Sequence, residues 1–388
     1  MKIVFFGLTI TSAWGNGHAT TYRSLLRALA KRGHTIHFVE QDVEWYRSNR
    51  DLPDPEFCTL HLYDTWALSS AALVSLCGDA DAIVIGSYFS DAIITTEALL
   101  TNGFGPLLFY DIDTPITLTQ LRTNGKTPYL EQKYIPQYDA YLSFTGGKAL
   151  KELEQTFGAR CALPLYCSVD STFYQPKLPI PQFRCDLSYL GTYAADRQTK
   201  LSRLLKRPAE LLPDKEFLVA GAMYPPEAVW TDNVRRLIHV YPASHPDFYS
   251  SSRFTLNLTR SDMVAAGYSP SVRLFEASAC GAAILSDDWE GLESFLTPGE
   301  QILLPRSEHD VADILLHLSD AERLRIGSQA RERILAEHTS DHRALQFENI
   351  IGTLLHPSTR LQEAAASAAS GDKVQGGPPV NAPEYTLP

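Results

Sequence analysis

Short apolar runs alternate with stretches of helical periodicity along most of this chain. The first run, "KIVFFGL", is rich in β-formers and predicts a strand. A polar loop, "TITSAWGNG", follows it. Then "HATTYRSLLRALAKRGH" sets Tyr22, Leu25, Leu26 and Leu29 at helical spacing and stops at Gly33, a suitable C-cap. "TIHFVE" is the next strand, completing a β-α-β unit within about forty residues. Buried parallel strands with polar ends are predicted at Ala80–Tyr88, Pro106–Asp113 and Tyr138–Gly147, with a further one near residues 160–165. The helix "KALKELEQTFG" lies between the last two.

The pattern halts at "DSTFYQPKLPIPQFR", whose three prolines mark a linker, and then restarts. "CDLSYLGTY", "EFLVAGAMY", "RRLIHVYP", "RFTLNLTR", "AAILSDD" and "QILLP" read as strands, and "RQTKLSRLLKRPAELL" reads as a helix. Arg323–Leu355 reads as one long helix. This predicts an α/β protein with two doubly wound, Rossmann-like domains facing a central cleft. The boundaries are 1–168, a linker at 169–184, and 185–356, with the last helix free to pack back on the first domain. The Ala/Gly/Pro/Ser-rich tail 357–388 is expected to be disordered.

Composition narrows the function classes. The 388 residues suit two domains, each large enough for its own core. The formal net charge is −11 and no Lys/Arg stripe stands out, which argues against nucleic acid as a partner. A local cationic pocket for a phosphate stays open. None of the six cysteines forms a C-x-x-C pair, so free thiols in a reducing cytoplasm are expected. The run after Met1 breaks at Gly7, so it reads as a strand and not a signal peptide. No run approaches about 18 apolar residues, so no integral membrane segment is expected.

The richest chemistry lies in "GYSPSVRLFEASACG", Gly267–Gly281. Ser269 suits an N-cap and Pro270 the first helical position. The N–H groups of Ser271, Val272 and Arg273 would then face outward at the positive end of the helix dipole, an anion site reinforced by the Arg273 charge. Glu276 lies about 9 Å further along the axis, at about 1.5 Å per residue. It is suited to accept hydrogen bonds from a ribose diol, so a nucleoside diphosphate would lie along the helix. The competing reading is a surface ion pair between Arg273 and Glu276 at i, i+3. Arg260 follows the strand "FTLNLT", and Arg197 follows "GTY". Each reads either as a second phosphate contact or as a solvated arginine.

These residues carry a resemblance. The stretch from "RFTLNLTRSDMVAAGYSPSVRLFEASACG" to "EQILL" resembles the C-terminal domain of GT-B-fold glycosyltransferases, most of all the group typified by the spore maturation protein CgeB. "YDIDTPITL" and "YLSFTGG" resemble that group too, so the likeness spans most of residues 1–350. It implies an N-terminal domain that binds acceptor, a C-terminal one that binds sugar nucleotide, and catalysis with no bound metal and no cofactor beyond the donor. Glu276 takes the ribose role, Arg260 and Arg273 the diphosphate, and Thr192, Tyr193 and Arg197 line the first loop of the second domain. The residues expected on the nucleotide are thus Gly15, Asn16, Gly17, Thr192, Tyr193, Arg197, Arg260, Tyr268, Ser269, Ser271, Val272, Arg273 and Glu276. One departure stands out. Retaining relatives carry two glutamates separated by seven residues, and Tyr268 occupies the first position here.

"WGNGH" supplies the remaining candidates. Gly15 and Gly17 permit close backbone approach to a ligand. A dinucleotide fingerprint with Glu40 as its ribose acid fails, because Thr20 replaces the third glycine and the loop starts too far from the strand. His18 opens the following helix, where it can serve as general base on an acceptor hydroxyl. Asp111 or Asp113 would then fix its tautomer. Alternatively His18 caps the helix or touches the sugar or its diphosphate, and the two aspartates cap a turn before Pro115. Gly146 and Gly147 are expected on the cleft. His239 and His245 are not spaced as a metal pair, though one of them can adjoin the nucleotide base. Asp287/Asp288 are not read as a metal site. The expected activity is transfer of a hexose from a nucleoside-diphosphate sugar to a hydroxyl of a glycan, protein or small molecule. The rivals are a sugar-nucleotide epimerase and a binding protein without catalysis.

Overall fold

A computed structural model describes residues 1–356; the tail expected to be disordered lies outside the described residues. The first sheet contains β1 (Lys2–Phe6), β2 (Thr35–Gln41), β3 (Thr59–Tyr63), β4 (Ala82–Gly86), β5 (Leu107–Asp111), β6 (Ala140–Ser143) and β7 (Ala162–Pro164). Its order is β3-β2-β1-β4-β5-β6-β7, and every pairing is parallel. The second contains β8 (Cys185–Leu190), β9 (Phe217–Ala220), β10 (Val234–Leu237), β11 (Ser252–Asn257) and β12 (Ala283–Ser286). Its order is β10-β9-β8-β11-β12, again all parallel.

Helices cover both faces of each sheet, so the central strands are apolar throughout. Ile3, Val4, Phe5 and Phe6 are all fully buried. In each sheet the strand order reverses once, between β1 and β4 in the first and between β8 and β11 in the second. Ligands of open α/β sheets bind outside the carboxyl ends of the strands at such reversals. Loops from both reversals line one cleft.

Four expectations change. "QILLP" is not a strand: a turn closed by Gly299 N–H to Ile302 O bridges Ile302 to Pro298 and leaves Leu303 bridged to Leu285, and Pro305 cannot donate further. "TLHLY" is an unpredicted edge strand, β3, whose polar alternation hid it. The segment at Gln198–Leu211 widens into a π-turn over Ser202–Lys206 just before Pro208, which cannot donate to the carbonyl four residues back. The long terminal helix breaks into Asp320–Glu337 and Ser340–Leu355. At the break Thr339 caps the second helix and bridges Val169, where the chain crosses between domains. That last helix lies against His18–Lys31, with Phe347 stacked on Phe5 at 5.7 Å. Among the described residues no helix is long and apolar enough to cross a membrane.

Candidate functional site

The first wall of the cleft is the loop after β1. Glu40, at the end of β2, is fully buried and anchors it. Its carboxylate accepts from the Thr9 hydroxyl (2.9 Å), the Ile10 N–H (2.6 Å) and both the N–H (3.1 Å) and hydroxyl (2.6 Å) of Thr11. The acid that a dinucleotide reading would assign to a ribose is thus spent on scaffold. Downstream, Gly15 adopts φ +70°, a conformation glycine reaches without strain. Asn16 accepts from Ala19 N–H at 3.1 Å, so its side chain caps the helix His18–Lys31.

His18 is 6 % exposed, and its Nε2 lies 3.0 Å from Asp113 Oδ2. A carboxylate only accepts, so Nε2 carries a proton, and in the neutral ring the lone pair sits on Nδ1. Nδ1 is buried and has no hydrogen-bond partner among the described residues. Asp111 turns the other way. It accepts from the Tyr141 hydroxyl at 2.6 Å and the Thr117 hydroxyl at 3.0 Å, and burial raises its pKa to about 6. Of the two aspartates, Asp113 therefore partners His18, and Asp111 braces the strand end beneath it.

Tyr88 was not foreseen. It follows β4 at the strand reversal with φ +63°, a strained conformation for an aromatic residue. Its ring meets His18 edge-on at 5.4 Å, and burial with the nearby Asp113 and Asp111 charges pushes its phenol up to about 12. Only its conformation marks it; "GSYF" carries no sequence signal.

The second wall centres on the helix Val272–Ala279. Its N-cap is Ser271, not Ser269, so the helix begins two residues later than its Ser-Pro pair predicts. The reason is tertiary. Ser269 is fully buried and bonds the Thr145 hydroxyl of the first domain at 2.8 Å, and Tyr268 O accepts from Gly146 N–H at 3.0 Å. Tyr268 and Ser269 thus tie the domains together and are not on the cavity wall. Gly146 and Gly147 belong to the same junction, with the Tyr268 ring packed over Gly147.

Arg273 and Glu276 are not an ion pair. Arg273 donates to Leu190 O and to Asn257 Oδ1, both at 2.8 Å, which points its guanidinium beneath Gly191. Asn257 also accepts from the Ser271 hydroxyl at 2.7 Å. It was missed in the sequence, although a polar residue inside the apolar run "FTLNLT" is a usable signal. Glu276 is 3 % exposed and lines the cleft. It accepts from the hydroxyls of Tyr174 (2.8 Å) and Tyr249 (3.3 Å), with His245 Nδ1 3.5 Å away. Its carboxylate keeps acceptor capacity, having about four lone-pair sites.

Between the walls lies a cavity of about 260 Å³. Gly15, Asn16, Gly17, Thr192, Arg197, Val272, Arg273 and Glu276 all line it, together with His239 and His245. His18 is not among the residues that line it. Arg197 donates to Thr192 O at 2.6 Å. Tyr193 and Arg260 fall outside the cavity, in an adjoining open trough, where Arg260 lies 3.6 Å from Asp196. Asp287 pairs with Lys200 at 2.6 Å and accepts from Thr259 N–H, so it serves the scaffold. Among the described residues no group of three His, Cys, Asp or Glu side chains could hold a metal.

Two facing Rossmann-like domains with a shared cleft at their strand reversals define the GT-B glycosyltransferase fold. Residues 197–349 match the family described as glycosyl transferase-like. The chain is similar to sucrose-phosphate synthase of Thermosynechococcus elongatus at 14 % identity and TM-score 0.66, covering 92 % of this chain and 100 % of that one. It is similar to HepE of Anabaena in complex with UDP and glucose (12 %, TM-score 0.68, 91 % and 100 % covered). An α-glucosyltransferase in complex with UDP is also similar (15 %, TM-score 0.65, 91 % and 100 %). No curated protein matches the chain.

Proposed function

We propose that this protein is a glycosyltransferase of the CgeB-like group that moves a hexose from a nucleoside-diphosphate sugar to an acceptor hydroxyl without a bound metal. The observation that carries the reading is the helix Val272–Ala279, which presents Arg273 and Glu276 to one cavity between two strand reversals. UDP in the solved structures of HepE and the α-glucosyltransferase supports a nucleotide there.

In this reading Glu276 accepts from the ribose diol, while Arg273, Arg197 and the Val272 N–H face the diphosphate. Negative charge grows on the leaving diphosphate, and fixed donors aimed at it lower the barrier. His18 Nδ1 takes the acceptor proton while Asp113 holds the Nε2–H tautomer. The cleft excludes water that would otherwise hydrolyse the donor. Another solved α-glucosyltransferase structure contains UDP and DNA. Here the net charge of −11 favours a glycan, protein or small-molecule acceptor over a duplex.

Thermal stabilisation by UDP, GDP, ADP, TDP and NADH tests the donor site in wild type and Glu276→Ala. Stabilisation by at least one nucleoside diphosphate is expected, and the variant should bind it roughly tenfold more weakly while staying folded. Unchanged affinity in a folded variant would sink the ribose assignment. A binding protein without catalysis is the second reading, motivated by Tyr268, whose side chain packs at the domain junction where retaining relatives carry a glutamate. Such a protein would bind the nucleotide yet release none from a sugar nucleotide on long incubation.

A further inference from the structure

We infer that Trp14 and His239 form an interdomain end wall that selects the base of the donor nucleotide, admitting a single-ring base and turning away a purine. The inference rests on the nucleotide reading above and adds a specificity device to it.

The lining of the second domain advances strand by strand across the sheet. Gly191 follows β8, Gly221 follows β9, and His239 lies two positions beyond β10. Strands β8, β9 and β10 are neighbours in that order. At about 4.8 Å per strand, His239 lies roughly 10 Å along the sheet from the Gly191–Arg273 end. With the diphosphate at Arg273 and the ribose at Glu276, the base falls at His239. There His239, a lining residue of the cavity, meets a residue of the other domain. The Trp14 ring centroid is 4.6 Å from that of His239, and the Tyr241 ring lies beside both, 4.5 Å from His239 and 6.4 Å from Trp14.

Trp14 is held on a rigid support. Besides the Glu40 bonds, the Ser12 hydroxyl donates to Asn49 O at 2.8 Å, and Ala13 N–H donates to Asp51 Oδ1 at 2.9 Å. The chain leading to the indole is therefore held in place, and Trp14 acts through His239 as a positioning residue. The cavity of about 260 Å³ is small beside common ligand sites of roughly 300–1,000 Å³. It must take ribose and diphosphate as well as the base. His239 Nε2 is buried without a partner among the described residues, so it can bond a base edge. Burial and His245 lower the His239 pKa, favouring a neutral ring.

Titration calorimetry with UDP, ADP and inorganic pyrophosphate tests this on wild type, Trp14→Ala, Trp14→Phe and His239→Ala. Wild type should bind UDP at least about tenfold more tightly than ADP. Trp14→Ala and His239→Ala should narrow that ratio to within about threefold while leaving pyrophosphate affinity unchanged, and Trp14→Phe should preserve the ratio. An unchanged UDP/ADP ratio in Trp14→Ala would overturn the inference, as would a purine preference in wild type. Equal weakening of all three ligands would overturn it too, by showing only a damaged loop. If wild type binds pyrophosphate but neither nucleotide, the base wall fails while the anion end stands. If it binds none of the three, the nucleotide reading and this inference fall together.

Discussion

At the scale of single residues the site depends on which atom of a side chain is already engaged. His18 has Nε2 committed to Asp113 and Nδ1 buried without a partner among the described residues. A buried, unpaired acceptor costs about 1–3 kcal/mol, and such costs gather where a protein meets ligand. His18→Ala should lower transfer by roughly 100-fold or more with donor affinity nearly unchanged. Asp113→Asn should lower it comparably, because the amide no longer enforces the Nε2–H tautomer. The check is kcat beside the donor Kd; an equal loss of both would demote His18 to a ligand contact. Asp111→Asn separates the two carboxylates, since Asp111 holds Tyr141 and Thr117 and not His18. It should alter stability more than it alters transfer.

At the scale of elements the junction between β6 and the following helix is closely packed. Gly147 has φ +60°, and a Cβ there would lie 2.6 Å from the Tyr268 ring. Gly147→Ala therefore meets both backbone strain and a clash across the domain junction. A loss of roughly 2–4 kcal/mol is expected by denaturant unfolding. An unchanged midpoint would show that the ring can move away freely. The same junction explains why the helix after Pro270 starts late. Local capping rules favour Ser269, but that hydroxyl is spent on Thr145 and the cap passes to Ser271. The terminal helix is another case: its periodicity continued past His338, while the cap and bridge at Thr339 ended one helix and began the next.

At the scale of the whole molecule that crossing point couples domain docking to pH. His338 is packed against Phe275 and Phe295 and accepts from Arg343, and burial lowers its pKa from 6.5 to about 3. In the unfolded chain it protonates near 6.5; in the native state it stays neutral down to about 3. The unfolded state thus binds the extra proton, and stability is lost as pH falls across that window. His338→Gln should flatten this acid limb by a few kcal/mol between pH 7 and pH 4, read from unfolding midpoints. An identical acid limb in the variant would show that other groups carry it.

The sequence by itself determined the α/β plan of two doubly wound sheets, and it drew attention to the prolines of 176–181 and to the stretch 267–281. Each of these is written in contiguous residues: apolar runs, helical spacing, turn formers. It also singled out His18, Arg273 and Glu276 as types suited to the chemistry. Only the tertiary structure decided how they are partnered. It joined His18 to Asp113 across 95 positions and turned Asp111 away. It gave Arg273 to Asn257 and Glu276 to two tyrosines, and it carried Tyr268 and Ser269 out of the cavity. It also set Trp14 against His239. The reason is physical. Periodicity reports which face of an element is buried, whereas contacts between elements follow from strand order and domain docking, which no local pattern encodes.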